Sequence, residues 1–360
     1  MPLMPIEQLP DWEMRLARQD AFWANAILDR PVVIGHLGKT NPDFPWPAPK
    51  AWTSVRDRWM DAGYVAERAV AGVMNTDYLG DALPCAHPNL GPEVFSAFFG
   101  CELEYGDTTS WSIPNLEDWA EVATLRFSDD NVYWRKIDEL TDALLAAGQG
   151  RFYTGITDLH PGADALVAFR DPLRMNLDLV EAPDAVKALL ETVTQVYFQV
   201  YDHYAEKLTA AGQAICSWPG IVSSKRWYVP SNDFSCMISK AMFDEFFLPG
   251  IIAECRHMEA NIYHLDGPNA LQHLDSLLEI PELNAIQWVY GAGHGRASDW
   301  LPVYQRCQAA GKGLQLTLEP DELPLFMETL KPEGLWIGLA GIQSREHFDT
   351  LVARISRWKG

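Results

Sequence analysis

Asn261-Ile262-Tyr263-His264-Leu265-Asp266-Gly267 is apolar and β-favouring until it meets Gly267-Pro268, so it reads as a short strand closed by a turn. Side chains alternate along a strand, which places Ile262, His264 and Asp266 on one face and Tyr263 and Leu265 on the other. Two groups able to bind a metal or move a proton therefore stand together at a strand's C-terminal end. Barrels of alternating strands and helices place their chemistry there. A purely structural His–Asp hydrogen bond would leave the same signature, so the other strand ends decide the reading.

Those ends repeat the pattern. Downstream, 284–290 stops at Gly291-Ala292-Gly293, 313–319 ends in Glu319 before Pro320, and 335–341 ends in Gly341. Upstream, 31–37 carries His36, 151–158 ends in Asp158 with His160 just beyond, and 214–218 ends in Trp218. A further strand is expected near Tyr78. Helical sequence separates them at 54–74, 131–147 and 183–211, in a helix capped by Ser239 and divided at Pro249, and in a closing helix to Trp358. Seven strands plus one, alternating with helices, imply parallel pairing and a single (β/α)8 barrel, the TIM barrel, over 1–360. An N-terminal helical extension covers 11–28, and a long irregular insertion near the second strand covers 78–119. A doubly wound open sheet is disfavoured, because no G-x-G-x-x-G follows the first strand.

The composition narrows the function classes. With 48% hydrophobic residues in 360, the chain can bury a large core, and a net charge of -21 excludes nucleic acid and anionic membrane as partners. Its six cysteines are scattered without a C-x-x-C pair, which points to reduced thiols. No apolar leader and no membrane-length apolar run is present, so a cytoplasmic location is expected.

Among site candidates, Glu319 shares a strand face with Gln315 and Thr317. A glutamate pointing inward there needs a partner or a ligand, although a solvated loop residue explains it too. Asp233, just before the Ser239 helix, is either a catalytic carboxylate or a turn residue held by the helix N-terminus. His36, Asp158 and His160 each have a bland reading as hydrogen-bonded loop residues. Trp218, Trp288 and Tyr290 end strands, where aromatics are either core or the wall of a small-molecule pocket. A carboxylate pair with such walls would also suit a lyase or a glycosidase.

From Ser231 to Gly341 the chain resembles the uroporphyrinogen decarboxylase superfamily, which includes methyltransferases that work with corrinoid proteins and coenzyme M. Asp233 followed by Ser239-Lys240-Ala241-Met242-Phe243-Asp244-Glu245-Phe246-Phe247-Leu248-Pro249 is similar to the family's Ser-Pro-x-x-Phe-x-x-Phe-x-x-Pro helix. Tyr263-His264-Leu265-Asp266-Gly267 stands where the family has His-x-Cys-Gly. The resemblance implies the barrel fold and a metal held by His264, with Asp266 and Glu319 at the other two ligand positions. An aspartate and a glutamate make a harder set than the family's thiolates, suited to zinc, manganese or iron. The first strand lacks the arginine-rich segment of the haem-pathway decarboxylases, so that activity is not expected.

The expectation is thus metal-dependent group transfer, by analogy methyl transfer, on a small-molecule substrate. Asp233, His264, Asp266 and Glu319 would be catalytic, and His36, Asp158, His160, Trp218, Trp288 and Tyr290 would bind substrate. A divalent metal such as zinc, a corrinoid protein partner and a homodimer complete the expectation. The alternatives are a metal-free carboxylate-based lyase, decarboxylase or glycosidase, and a barrel kept as a binding protein.

Overall fold

The computed structural model describes residues 2–358. Strand β1 (Val32–Gly38) is followed by β2 (Thr76–Gly80), β3 (Cys85–Ala86) and the hairpin β4 (Glu102–Tyr105) and β5 (Ser110–Ile113). Then come β6 (Tyr153–Thr154), β7 (Ile215–Cys216), β8 (Val222–Ser223) and β9 (Trp227–Tyr228). The last four are β10 (Ala260–Asp266), β11 (Ala285–Val289), β12 (Gly313–Leu318) and β13 (Leu335–Leu339). A central sheet runs β2-β1-β13-β12-β11-β10-β9, parallel throughout except for the β1–β2 pair. The architecture is a barrel-like α/β fold.

Beyond the two outer strands of that sheet the backbone keeps pairing in short pieces. β3 lies parallel to β6, Gly155 N–H donates to Ala86 O at 2.8 Å, and Ile156 N–H donates to Cys216 O at 2.9 Å. Gly155 permits this close approach, because a Cβ there would lie 2.6 Å from Cys216 O. The strand expected over 151–158 accordingly shortens to Tyr153–Thr154, and that over 214–218 to Ile215–Cys216.

Four further expectations change. The strand near Tyr78 exists, but it runs antiparallel to β1, with His36 opposite Tyr78. The segment 78–119 is not irregular: it holds β2, β3, a helical turn at Val94–Ala97 and the β4–β5 hairpin. Its strands are too short to show a period. The helix expected over 54–74 divides at Asp61, whose carboxylate accepts from Tyr64 N–H at 2.9 Å and starts Ala62–Met74 as a separate helix. The N-terminal helix, expected over 11–28, is Trp12–Phe22.

That helix covers the N-terminal end of the sheet. Asn25 donates to Gly311 O at 2.7 Å, just before β12, and Asn284, just before β11, donates to Trp23 O at 3.1 Å. Behind it, the fully buried Asp81 pairs with Arg30 and with Arg18 at 3.0 Å and accepts from Val33 N–H at 2.9 Å. Such a buried carboxylate is tolerated because every lone pair finds a donor. One end is closed by this packing, which leaves the C-terminal ends of the strands for a site. All six cysteines are free, and among the described residues no helix is long and apolar enough to cross a membrane.

Candidate active site

β10 delivers His264 and Asp266 to its C-terminal end, and Gly267 stops it with φ +80°, a conformation that disfavours other residues. The segment before the Ser239 helix runs alongside: His264 N–H donates to Pro230 O at 3.0 Å, and Ser231 forms a parallel bridge with His264. This brings Asp233 to the same place, so ligand atoms of Asp233, His264 and Asp266 lie within 4.8 Å of one another.

The sheet register sets the state of His264. His264 is opposite Gln287, Gln287 opposite Gln315, and Gln315 opposite Trp336, so these side chains occupy one level across four strands. Gln315 Nε2 donates to Pro219 O at 2.9 Å, Gln287 Nε2 donates to Gln315 Oε1 at 2.8 Å, and His264 Nδ1 meets Gln287 Oε1 at 2.5 Å. A carbonyl only accepts, so the Pro219 end orients both amides. Gln287 then presents an oxygen to His264, whose Nδ1 must carry the proton. Nε2 is the nitrogen left over from this chain, as in a metal-ligating or basic histidine.

A second cluster shares Asp233. His160, Asp164 and Asp233 also place ligand atoms within 4.8 Å of one another. Here His160 Nε2 faces Asp158 at 3.0 Å, while Nδ1 faces Ser231 Oγ at 3.2 Å and Asp164 at 3.6 Å. Burial opposes the charge on this imidazole, but Asp158 and Asp164 outweigh it and raise His160 well above its ordinary value. With both nitrogens engaged as an imidazolium, His160 has no lone pair for a metal. Asp164, on the first turn of the helix Gly162–Arg170, accepts from Asp233 N–H and Phe234 N–H at 3.1 Å each, which fixes the turn that carries Asp233. Tyr228 holds the other side: its hydroxyl donates to Thr157 O at 2.5 Å and accepts from Leu159 N–H at 2.8 Å.

Asp233 is exposed as a residue, yet its carboxyl group faces inward among other acids. Its local burial, with the charges of Asp164 and then Asp266 added, pushes it up to about 6, against the pull of His160 and His264. Four carboxylates stand here with two imidazoles, an excess of negative charge that suits a bound cation.

Glu319, expected as the third ligand, lies outside both clusters. Its carboxylate pairs with Arg296 at 3.0 Å and its side chain is 61% exposed, because Arg296 gathers Glu319 and Asp321 into a surface network. Asp233 is the third member of the cluster with His264 and Asp266 instead. His36 is also apart, exposed and edge-on to Tyr78 with ring centroids 5.3 Å apart. Trp218 stands edge-on to His264 at 5.1 Å. With Trp288, Tyr290 and Trp336 it walls a cavity of about 600 Å³, which Gln287 and Gln315 also line. No charged side chain among the described residues lines it.

Sequence reasoning missed Asp164, Gln287 and the orienting role of Gln315. Asp164 follows His160 by four residues, a spacing that signals a shared helical side, but the helix begins only at Gly162. The glutamines become visible only once the strand register is known.

No family model matches the sequence, and no curated protein does. Among solved structures, the fold is similar to that of a methyltransferase from Methanosarcina mazei, with a TM-score of 0.60 and 13% identity over 95% of this chain and 98% of that one.

Proposed function

We propose that this protein is a metal-dependent group-transfer enzyme, a methyltransferase by likeness, working at the C-terminal ends of β10 to β12. The observation that carries the reading is the Asp233–His264–Asp266 cluster with its free His264 Nε2. One imidazole and two carboxylates form a hard donor set that fits zinc, manganese or iron. When bound, such an ion supplies Lewis acidity that makes a thiol or hydroxyl nucleophilic at neutral pH.

The chain's own groups divide the remaining work. Asp233 must lose the proton of its raised carboxyl to complete that donor set, so the ion and the proton compete for it. Imidazolium His160 offsets the carboxylates Asp158 and Asp164 beside it. The uncharged aromatic cavity beside His264 excludes water and accepts a small neutral substrate. The resemblance to the uroporphyrinogen decarboxylase superfamily and the fold likeness to a methyltransferase support this reading, with a corrinoid protein as methyl donor. The proposal includes a closed eight-unit barrel, supported by the Asp81-to-Val33, Gly155-to-Ala86 and Ile156-to-Cys216 backbone bonds. It also includes a homodimer, supported by the exposed stripe Leu173, Leu177 and Val180 on the helix Pro172–Glu181.

The test is methyl transfer from methylcobalamin to a small thiol by zinc-loaded protein, read as loss of methyl–cobalt absorbance and gain of thioether. Transfer that depends on added zinc and on Asp233 supports the reading; no transfer above the free-zinc rate contradicts it. The raised carboxyl of Asp233 favours a second reading, a metal-free acid–base lyase. Turnover of any substrate that survives chelation selects that one.

A further inference from the structure

A second cavity, of about 360 Å³, is lined by none of Asp233, His264 and Asp266. Ser231, which hydrogen-bonds His160, and its neighbour Asn232 both line this cavity. One wall is a single face of the long helix Pro183–Ala210, with Lys187, Leu190, Glu191, Thr194, Gln195 and Phe198 at helical spacing. The opposite wall is Phe246, Phe247, Gly250, Ile251 and Glu254. That wall begins with a π-helical turn, Phe243–Phe247, in which Leu248 N–H donates to Phe243 O five residues back. Pro249 follows and has no N–H to give, so the wider turn accommodates a missing bond. Turns of this kind occur frequently at functional sites.

Two buried side chains of the cavity lack partners. Asn232 and Glu254 are only 4% and 3% exposed, yet Asn232 Nδ2 and Oδ1 and Glu254 Oε2 find no hydrogen-bond partner among the described residues. Buried polar atoms are nearly always paired, so three unpaired ones beside one cavity call for an occupant. Burial, and then the charge of Asp164, pushes the Glu254 carboxyl up to about 8. At neutral pH it is mostly an uncharged acid that both donates and accepts, as the Asn232 amide does.

We infer that this cavity binds an uncharged small molecule with an amide-like head, which pairs with Asn232 and Glu254, and an apolar body against Phe198, Phe246 and Ile251. An anion would meet Glu191 and Glu245 at the walls and Asp164 behind them. A cation would have to ionise Glu254 against its burial, and Lys187 already covers the Phe246 ring at 4.9 Å while pairing with Glu245 at 2.7 Å. A head that donates and accepts without charge matches what is present. The site stands on different residues from the metal cluster, so it holds whether or not the methyl-transfer reading does.

The probe is benzamide, with benzoate and benzylammonium as charged counterparts, followed by ligand-observed NMR at pH 6.5. Gly250→Leu is the blocking variant, since a Cβ at Gly250 would meet only Thr194 Oγ1, at 3.8 Å. Asn232→Leu removes the amide, and melting temperatures check that both variants fold. Benzamide should bind the wild type and bind both variants at least tenfold more weakly, with benzoate silent and zinc binding unchanged in Gly250→Leu. Absence of benzamide binding, equal binding to Gly250→Leu, or tighter binding of benzylammonium would overturn the inference. So would a crystal soaked in benzamide that shows only ordered water between Asn232 and Glu254.

Discussion

His264 Nδ1 lies 2.5 Å from Gln287 Oε1, and the chain of amides behind Gln287 ends on the Pro219 carbonyl, so the proton sits on Nδ1 and Nε2 is free. Histidine becomes a good metal ligand or base when its second nitrogen is held in this way.

Gln287→Leu should therefore weaken metal binding by roughly 10–100-fold, the usual effect of losing a residue that orients a ligand. It also leaves Gln315 Oε1 unpaired, at about 1–3 kcal/mol of stability. Zinc titration and denaturant melts of the folded variant check both effects. Unchanged affinity would mean that His264 does not use Nε2 as supposed.

Asp233 ties metal affinity to pH. Its carboxyl, raised to about 6, must lose its proton to ligate, so affinity should be level above pH 6 and fall below it by up to tenfold per pH unit. The same shift makes the apo protein bind more protons than its unfolded chain between the ordinary value of 3.8 and about 6, so apo stability falls as pH rises through that window. Asp233→Asn should flatten both profiles.

Glu254 makes the same argument at higher pH. Its folded value of about 8 exceeds the ordinary 4.5, so the folded state holds a proton that the unfolded chain releases. Stability should decline as pH rises from 4.5 towards 8, at no more than about 1.4 kcal/mol per pH unit. Denaturant midpoints at pH 5 and pH 8 should differ more for the wild type than for Glu254→Gln. An equal difference in both proteins would show that the carboxyl is not buried as described.

How much of this was legible in the sequence depends on the kind of residue. β10 to β13 were readable because each is an apolar run that ends in a glycine turn, proline or acidic residue, and their observed bounds lie within two residues of the expected ones. β3, β8 and β9 escaped because two-residue strands carry no period, whereas β6 and β7 were expected but are shorter than the runs that announced them. His264 and Asp266 were found together because alternation is a local property, whereas Asp233 approaches them through the Pro230-to-His264 backbone contact between separate segments. Glu319 misled for a related reason. Its place at a strand end was read correctly, but the competing partner, Arg296, lies 23 residues earlier on a different connection.

The exposed stripe of Leu173, Leu177 and Val180, at 72%, 52% and 68% exposure, should be covered by a second copy of the chain. Light scattering at micromolar concentration should give twice the chain mass, and Leu177→Glu should return the monomer. A monomeric wild type would contradict the assembly.

The most direct test of the metal site is calorimetric titration of zinc into metal-free protein at pH 7.5, for the wild type, His264→Ala and Glu319→Gln. The account predicts one tight equivalent in the wild type, the same in Glu319→Gln, and at least a hundredfold loss in His264→Ala, whose melting temperature without metal stays within a few degrees. No binding by the wild type, or tight binding that survives in His264→Ala and is lost in Glu319→Gln, would contradict the assignment of Asp233, His264 and Asp266 as the metal centre.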